Sequence, residues 1–209
     1  MIVKSRRQEH MELTRAAVLE AAADQFAQRG FAATTIDDVA AAARVSKGTV
    51  YYHFVDKAQL FEAVFRAGQT WVIDQVAKAI EGRHEPWGQL EAGLDAYLDT
   101  TVADHVHRAL LQEAPGALGV GRCQQIDEEM GLPVLRVALD NLAATGELVD
   151  TPIEMLARIL FGALCQAAMA AGAAPHPEHA GQQAASVLRV ITAGLRRPTP
   201  KRKGGRPVP

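Results

Sequence analysis

Apolar residues recur every three or four positions along most of the chain, which is the spacing of one face of an α-helix. In the first such segment Leu19, Ala22 and Phe26 share a face. Thr14 is a typical N-cap residue at its start, and Gly30 stands where a left-handed C-terminal stop is expected. The pattern predicts a first helix over residues 14–30.

Three further helices are predicted before residue 81, each opening at a residue whose side chain can cap a helix N-terminus. These residues are Thr35, Ser46 and Asp56. The predicted helices cover residues 35–43, 46–53 and 56–80. Since the connections between them are only a few residues long, four helices fill residues 14–81.

The rest of the chain keeps the helical pattern, and no segment alternates in the manner of a β-strand. We predict further helices at 87–105, 106–114, 122–145, 152–172 and 177–195. The glycine-rich segment LLQEAPGALGVGR between two of them is predicted to be a loop, either a mobile pocket wall or a simple connection. The fold class is therefore all-α.

Composition narrows the class of protein without identifying it. The chain has 209 residues, 48% of them hydrophobic, and a net charge of −2, which excludes a uniformly basic nucleic-acid binder but allows a local basic face. No apolar run reaches the ~18 residues of a membrane span, and the N-terminus lacks the apolar core of a secretory signal. Cys123 and Cys165 are too few for a disulfide framework. We expect a cytoplasmic protein with reduced thiols, no membrane partner and no cofactor.

One segment, VSKGTVYYHFVDK at residues 45–57, carries more amphipathic side chains than a core can use. On a short helix, Val50 and Phe54 fall on one face and can pack against the first two helices. The remaining circumference carries side chains suited to phosphate oxygens and base edges: Lys47, Thr49, Tyr51, Tyr52 and His53. Alternatively, Tyr51 is mainly a packing residue and His53 caps the helix C-terminus. A helix, a three-residue turn and a short capped helix together form a helix-turn-helix pattern.

Residues 26–65, FAQRGFAATTIDDVAAAARVSKGTVYYHFVDKAQLFEAVF, resemble the N-terminal part of the TetR family of transcriptional repressors. The likeness extends over roughly residues 13–75. It implies a homodimer with one DNA-reading head per subunit. It also implies DNA contacts from these positions: Thr35, Ser46, Lys47, Gly48, Thr49, Tyr51, Tyr52, His53 and Lys57. Within this set Lys57 is the expected phosphate ligand, and Lys47 and Thr49 are expected to reach bases.

Arg44 departs from the family pattern, which usually has glycine at this position of the turn. An arginine there must adopt a left-handed or otherwise strained backbone, at a cost on the order of 1 kcal/mol. A phosphate contact from its guanidinium would offset that cost, and a turn of different geometry is the alternative. Arg44 therefore joins the predicted DNA-contacting residues.

The predicted domains follow from these assignments. They are a basic N-terminal arm at 1–12, a helix-turn-helix DNA-binding domain at 13–58, a helical effector-binding and dimerisation domain at 59–195, and a disordered basic tail at 196–209. In the arm, Lys4, Arg6 and Arg7 are candidates for contact with the DNA backbone or the minor groove, and a solvated arm without DNA contact is the alternative. In the tail, the GRP segment at 205–207 resembles an AT-hook core, whose arginine lies in a narrow minor groove. A tail that only solubilises the chain, or binds phosphates without specificity, is the alternative.

The resemblance implies a ligand pocket among the helices between about 87 and 172. The residues considered for its lining are Trp71, Trp87, Tyr97, His105, His107, Gln112, Gln124, Gln166 and Met169, and each has core or surface packing as its alternative. On a helix, His105 and His107 would lie about 200° apart, which is poor for shared ligation, so no metal site is predicted. The expected effector is an apolar compound, uncharged or cationic.

The segment 152–172 is apolar nearly all round and must be buried on more than one side. With 177–195 it predicts a two-helix face that forms a four-helix bundle with a second copy; burial of both helices within one subunit is the alternative. The predicted function is a dimeric DNA-binding regulator, a repressor released from operator DNA by a small-molecule effector, and not an enzyme. An all-α carrier or enzyme without DNA binding is the alternative, but it would leave residues 44–57 unexplained.

Overall fold

The computed structural model describes residues 6–198. Within this range it contains ten α-helices and one isolated β-bridge. The helices are α1 (Arg6–Ala33), α2 (Ile36–Ala42), α3 (Lys47–His53), α4 (Lys57–Ile80), α5 (Pro86–Ala103), α6 (His105–Leu118), α7 (Val120–Glu129), α8 (Gly131–Thr145), α9 (Ile153–Gly172) and α10 (Pro177–Ala193). The prediction of an all-α fold is confirmed.

Side-chain caps define the starts of α2, α3 and α4, as the sequence predicts. The Thr35 hydroxyl accepts the Asp38 N–H at 3.1 Å, and the Asp38 carboxylate accepts the Thr35 N–H at 2.9 Å, which is a capping box. Ser46 and Asp56 each accept the N–H three residues ahead. Because α2 and α3 have only 7 residues each, they could not persist alone, and these caps help to hold them in place.

The first helix begins earlier than predicted. α1 starts at Arg6, and the Thr14 hydroxyl donates to the His10 carbonyl at 2.8 Å inside the helix, so it caps nothing. Threonine can hydrogen-bond a carbonyl one turn back, and its presence alone does not mark a helix start. Arg6 and Arg7, predicted to lie in a basic arm before the first helix, belong to α1. Lys4 lies outside the described residues.

Two predictions for the second half of the chain are wrong. The predicted helix 122–145 is two helices, α7 and α8, separated at Met130. At Gly131, the aromatic ring of Phe161 fills the space that a side chain would need, so α8 can approach α9 closely. The segment LLQEAPGALGVGR is not a loop, because α6 continues through Pro115 to its last turn and only Gly119, with a φ of 84°, separates it from α7.

Two hydrophobic clusters organise the helices. The head cluster joins α1–α4 through Phe26, Val50 and Phe61, and it also contains Leu110 of α6 and Ile126 of α7. The body cluster is formed by α4, α5, α8, α9 and α10. The predicted domain boundary at residue 58 therefore does not coincide with a break in the core, since α4 contributes to both clusters.

Arg196 and Arg197, predicted to belong to a disordered tail, make specific contacts with the body. The Arg197 N–H donates to the Glu147 carbonyl at 2.6 Å. The Arg196 guanidinium lies 4.6 Å from the centre of the Trp87 ring and pairs with Glu91 at 2.8 Å. These contacts hold the end of the described chain against α5 and the α8–α9 connection. The remaining tail, with its AT-hook-like segment, lies outside the described residues.

The contact between α4 and α6 depends on a glycine. A Cβ atom added to Gly68 would lie 2.7 Å from Nδ1 of His107. His107 is only 3% exposed, and its ring contacts that of Trp71. Burial lowers the pKa of His107 to about 4, so the ring is neutral at ordinary pH.

We expect Gly68→Ala to lower the free energy of unfolding by about 1–3 kcal/mol, because the buried imidazole must move to admit a methyl group. Gly116→Ala is the control: it lies within α6, and its added Cβ would meet nothing within 4 Å. The control should be neutral or stabilising by up to about 1 kcal/mol. Denaturant unfolding measures both, and equal stability of the two variants would contradict the close contact.

Candidate DNA interface and ligand cavity

The α3 helix has one buried side and one exposed side, as predicted. Val50 is 0% exposed and Phe54 is 3% exposed, and both belong to the head cluster. Tyr51 and Tyr52 are 47% and 67% exposed. The other predicted DNA-contacting residues of α3 and of the helix starts lie on the same exposed surface or at its rim: Thr35, Ser46, Lys47, Gly48, Thr49 and His53. Two exposed phenols on a seven-residue helix are not required for packing, and they remain available for a partner.

The turn between α2 and α3 is built as a Schellman motif. The Val45 N–H donates to the Ala40 carbonyl at 3.0 Å, and the Arg44 N–H donates to the Ala41 carbonyl at 3.2 Å. Arg44 occupies the left-handed position of the motif with a φ of 56°, which confirms the predicted backbone. The turn therefore keeps regular geometry without glycine. The side chain of Arg44 is exposed.

We expect Arg44→Gly to stabilise the protein by up to about 1 kcal/mol, since glycine adopts a positive φ without steric cost. If the Arg44 guanidinium holds a phosphate, the same substitution weakens DNA binding and lowers the salt dependence of the affinity. Thermal unfolding and DNA titration at several salt concentrations separate the two effects. A less stable Arg44→Gly variant would contradict the assignment of strain to this residue.

Exposed charges next to α3 are paired within the head. The Lys47 ammonium contacts Asp37 of α2 at 2.7 Å, and this hydrogen bond raises the pKa of Lys47. Hydrogen bonds from Thr35 and then from Arg29 lower the pKa of Asp38 to about 2. An exposed ion pair contributes about 0–1 kcal/mol, so a DNA phosphate can displace Asp37 from Lys47 at little cost.

The N-terminal turns of α1 lie beside α3. A surface groove is lined on one side by Arg7 and His10 of α1 and on the other by Thr49 and Tyr52 of α3. The sequence placed Arg7 in a separate arm, whereas the structure makes it part of the α3 surface. This placement follows from the start of α1 at Arg6, which only the structure shows.

Lys57 has structural partners. Its ammonium donates to the carbonyls of Phe31, Ala32 and Thr34 at 2.8, 3.3 and 3.0 Å, and it lies 4.5 Å from the centre of the Phe31 ring. An ammonium has three N–H donors, and all three are used at the C-terminal end of α1. These hydrogen bonds join α1 to α4, and the phosphate contact of Lys57 stays a prediction. Nearby, the Phe31 N–H donates to Glu113 of α6 at 2.9 Å.

An apolar cavity of about 380 Å³ lies in the body, between α4, α5, α7, α8 and α9. Its volume is within the usual range for sites of small organic molecules. Most of the wall is aliphatic or aromatic, with residues such as Leu90, Leu94, Leu135, Phe161 and Leu164. The polar groups in the wall belong to Gln69, Gln89, Tyr97, Asp127 and Asn141.

Of the residues predicted to line a pocket, Tyr97 does so. Trp87 is buried in the body cluster, and His107 is buried between α4 and α6. The others lie away from the cavity wall, on exposed or half-buried positions: Trp71, His105, Gln112, Gln124, Gln166 and Met169. The sequence prediction favoured large polar and aromatic residues, whereas the wall is formed mainly by aliphatic residues that no motif distinguishes from core.

Ion pairs connect α7, which forms part of the cavity wall, to α4. Arg122 donates to the Glu62 carboxylate at 2.9 Å, and Arg66 donates to the same carboxylate at 2.9 Å. Arg66 also pairs with Glu129 at 2.5 Å. Hydrogen bonds from Arg122 and then from Arg66 lower the pKa of Glu62 to about 2, against the opposing effect of burial. These ion pairs therefore couple the position of α7 to that of α4.

Two family models match the chain. The model described as bacterial regulatory proteins, tetR family, matches residues 18–64, and the model described as the tetracyclin repressor-like C-terminal domain matches residues 87–195. The chain is 25% identical over 159 residues to the Transposon Tn10 TetC protein of Escherichia coli, covering 76% of this chain and 80% of that protein. It is 31% identical over 126 residues to the probable acrEF/envCD operon repressor of Escherichia coli strain K12, covering 59% of this chain and 54% of that protein. A solved TetR-family transcriptional regulator from Pectobacterium atrosepticum superposes with a TM-score of 0.78 at 25% identity, covering 94% of this chain and 100% of that one.

An N-terminal helix-turn-helix head on an all-helical body defines the class of DNA-binding transcriptional regulators. The C-terminal family model alone matches more than half of the sequence, so the assignment of the chain to a family does not depend on the head. The chain belongs to the TetR family of transcriptional regulators. A carrier or enzyme without DNA binding is not favoured, because the relatives named above include a repressor and a transcriptional regulator.

Proposed function

We propose that the protein is a dimeric repressor that leaves its operator when a small molecule occupies the body cavity. The exposed surface of α3 carries this proposal, because Lys47, Thr49, Tyr51 and Tyr52 project from a helix that its other side anchors to the head cluster. These side chains suit phosphates and base edges in a major groove. A cytoplasmic location and the absence of catalytic activity accompany this role.

The dimer interface is proposed to lie on α9 and α10. Their exposed sides carry a group of large apolar residues that are 48–74% exposed in the single subunit: Met155, Ile159, Val187, Val190 and Ile191. Such an apolar patch on a lone subunit marks an interaction surface. α9 is also long and apolar enough to cross a membrane by length and composition. Because its other side packs in the body cluster and its exposed side adjoins that of α10, we propose that a second subunit covers it and not lipid.

Release from DNA is proposed to follow from a change in the spacing of the two heads. Two α3 helices must lie about 34–36 Å apart to enter successive major grooves. α4 begins at Lys57 in the head and reaches the cavity wall at Gln69 and Ile80. A ligand that favours another arrangement of α4 and α7 would shift the population away from the DNA-binding spacing.

Binding to DNA fragments from the protein's own gene neighbourhood tests this function. We expect tight, fragment-specific binding that weakens steeply with salt. Tyr52→Ala should reduce the specific affinity by about tenfold or more, and Lys47→Ala should reduce it with a smaller salt dependence. Lys78→Ala, an exposed lysine at the far end of α4, is the control and should behave as wild type. Equal affinity for all fragments, unchanged by Tyr52→Ala, would contradict the proposal.

A further inference from the structure

Asp127 is an unpaired acid in an apolar cavity. Within the described chain it is the one side chain of the cavity wall that ordinarily carries a charge at neutral pH. No hydrogen bond or opposite charge stabilises its carboxylate among residues 6–198, and burial alone raises its pKa to about 6. A partly desolvated carboxylate without a partner is costly. The cavity wall therefore holds a charge that its other residues do not balance.

The groups close to Asp127 cannot supply the missing positive charge. Tyr97 of α5 and Cys165 of α9 lie 3.7 Å apart, Oη to Sγ, and Cys123 is one turn away on α7. Burial raises the pKa of all three groups, with the nearby Asp127 adding to the effect. They are uncharged at neutral pH. The wall residues contributed by α4 and α8 include no titratable side chain.

The charged neighbours of Asp127 along α7 are paired elsewhere. Arg122 binds Glu62 of α4, and Glu128 binds Arg158 of α9 at 2.5 Å. No cation of residues 6–198 lies against the Asp127 carboxylate. A positive charge for Asp127 would therefore have to come from a bound molecule.

We infer that the cavity binds a hydrophobic molecule with one basic nitrogen, which forms an ion pair with Asp127 while its apolar body lies against Leu94, Leu135 and Phe161. The inference rests on the proposed function, because it assigns the chemical class of the effector. The amide of Gln69, a residue only 7% exposed, is a second polar contact at the α4 wall. An uncharged ligand would bury the carboxylate further without pairing it, so the cavity selects against such a molecule at neutral pH.

The protonation of Asp127 gives the inference a pH signature. Its carboxyl is largely ionised well above the pKa of about 6 and largely protonated well below it. The affinity for a cation should therefore fall as the pH falls through about 6, whereas the affinity for a neutral molecule should stay level or rise. An alkylamine keeps its charge over this range, since its pKa resembles that of lysine at about 10.4.

Calorimetric titration of the full chain with 4-phenylbutylamine and with the matched alcohol 4-phenylbutanol tests the inference. At about pH 7.5 we expect the amine to bind at least about tenfold more tightly, and at about pH 5 we expect that preference to fall to about threefold or less. Asp127→Asn should remove the preference at both pH values. Asp99→Asn, the same substitution on the exposed side of α5, should keep it.

Ligand-free stability supplies a second readout for Asp127. Because folding raises the pKa of this acid from 3.8 to about 6, its ionisation opposes folding, and the penalty grows as the pH rises from about 4 to about 6. Asp127→Asn should therefore raise the melting temperature at neutral pH and leave it nearly unchanged at about pH 4. A variant that is no more stable at neutral pH would overturn the assignment of an unpaired buried charge.

Operator binding measured on the same samples separates this inference from the proposed function. Equal binding of amine and alcohol at about pH 7.5, or a preference that survives Asp127→Asn, overturns the inference, and specific DNA binding by the same sample leaves the repressor role standing. An amine that binds through Asp127 without releasing DNA supports the inference and contradicts the cavity's role in release. Release of DNA by the amine but not by the alcohol supports both the inference and the cavity's role in release.

Discussion

Ile159→Glu is expected to convert the dimer into a monomer and to abolish tight operator binding. Ile159 is 63% exposed in the single subunit, so a glutamate there does not disturb the subunit's own core. In an isologous interface the substitution places two charges in the apolar contact. The measured mass should fall to the 22.4 kDa of one chain. Operator affinity should fall by about 100-fold or more, because the two heads no longer bind as a linked pair.

Val120→Glu is the matched control for this experiment. Val120 is 62% exposed but lies on α7, away from the proposed interface. Val120→Glu should leave the mass of the dimer and its affinity for the operator unchanged. Light scattering measures the mass of the two variants, and DNA titration measures their operator affinity. A dimeric Ile159→Glu variant with wild-type operator binding would show that the subunits meet through another surface.

Lys57→Met is expected to destabilise the head by about 2–3 kcal/mol, because it leaves three carbonyls without the ammonium that joins them. Methionine keeps the aliphatic length of the side chain, so packing is largely preserved. The loss should appear as a lower free energy of unfolding. Weaker operator binding should follow from a head that is less well held.

The free energy of unfolding and the operator binding of Lys57→Met together distinguish a structural lysine from a phosphate ligand. Lys78→Met, in the exposed last turn of α4, should cost less than about 1 kcal/mol. A phosphate-binding Lys57 would give the opposite combination: unchanged stability, and a salt dependence of DNA binding that falls by about one unit per subunit. That result would contradict the role that the Lys57 hydrogen bonds indicate.

The parts of the fold determined by local interactions could be predicted from the sequence. Thr35, Ser46 and Asp56 cap the helices they were expected to cap, because a cap acts on backbone groups within three residues. The left-handed backbone of Arg44 followed from the resemblance, since the family usually has glycine at this position of the turn. The division of α3 into a buried and an exposed side followed from the helical period alone.

The features that depend on distant contacts could not be predicted. Apolar spacing continues across the α7–α8 break, which is visible only once Phe161 of α9 packs at Gly131. Lys57 meets carbonyls some twenty-five positions earlier in the chain, and nothing in the sequence distinguishes this from a phosphate contact. Asp127 is one acid among three in succession, and only the folded body places it in a cavity.

The central claim is that two α3 helices, one from each subunit, read one DNA site. Hydroxyl-radical footprinting of the full chain on its tightest fragment tests it most directly. We expect two protected segments on the same face of the duplex, about 34–36 Å apart between centres, and we expect both to disappear together in Tyr52→Ala. One protected segment, or two segments that persist without the Tyr52 side chain, would contradict the account.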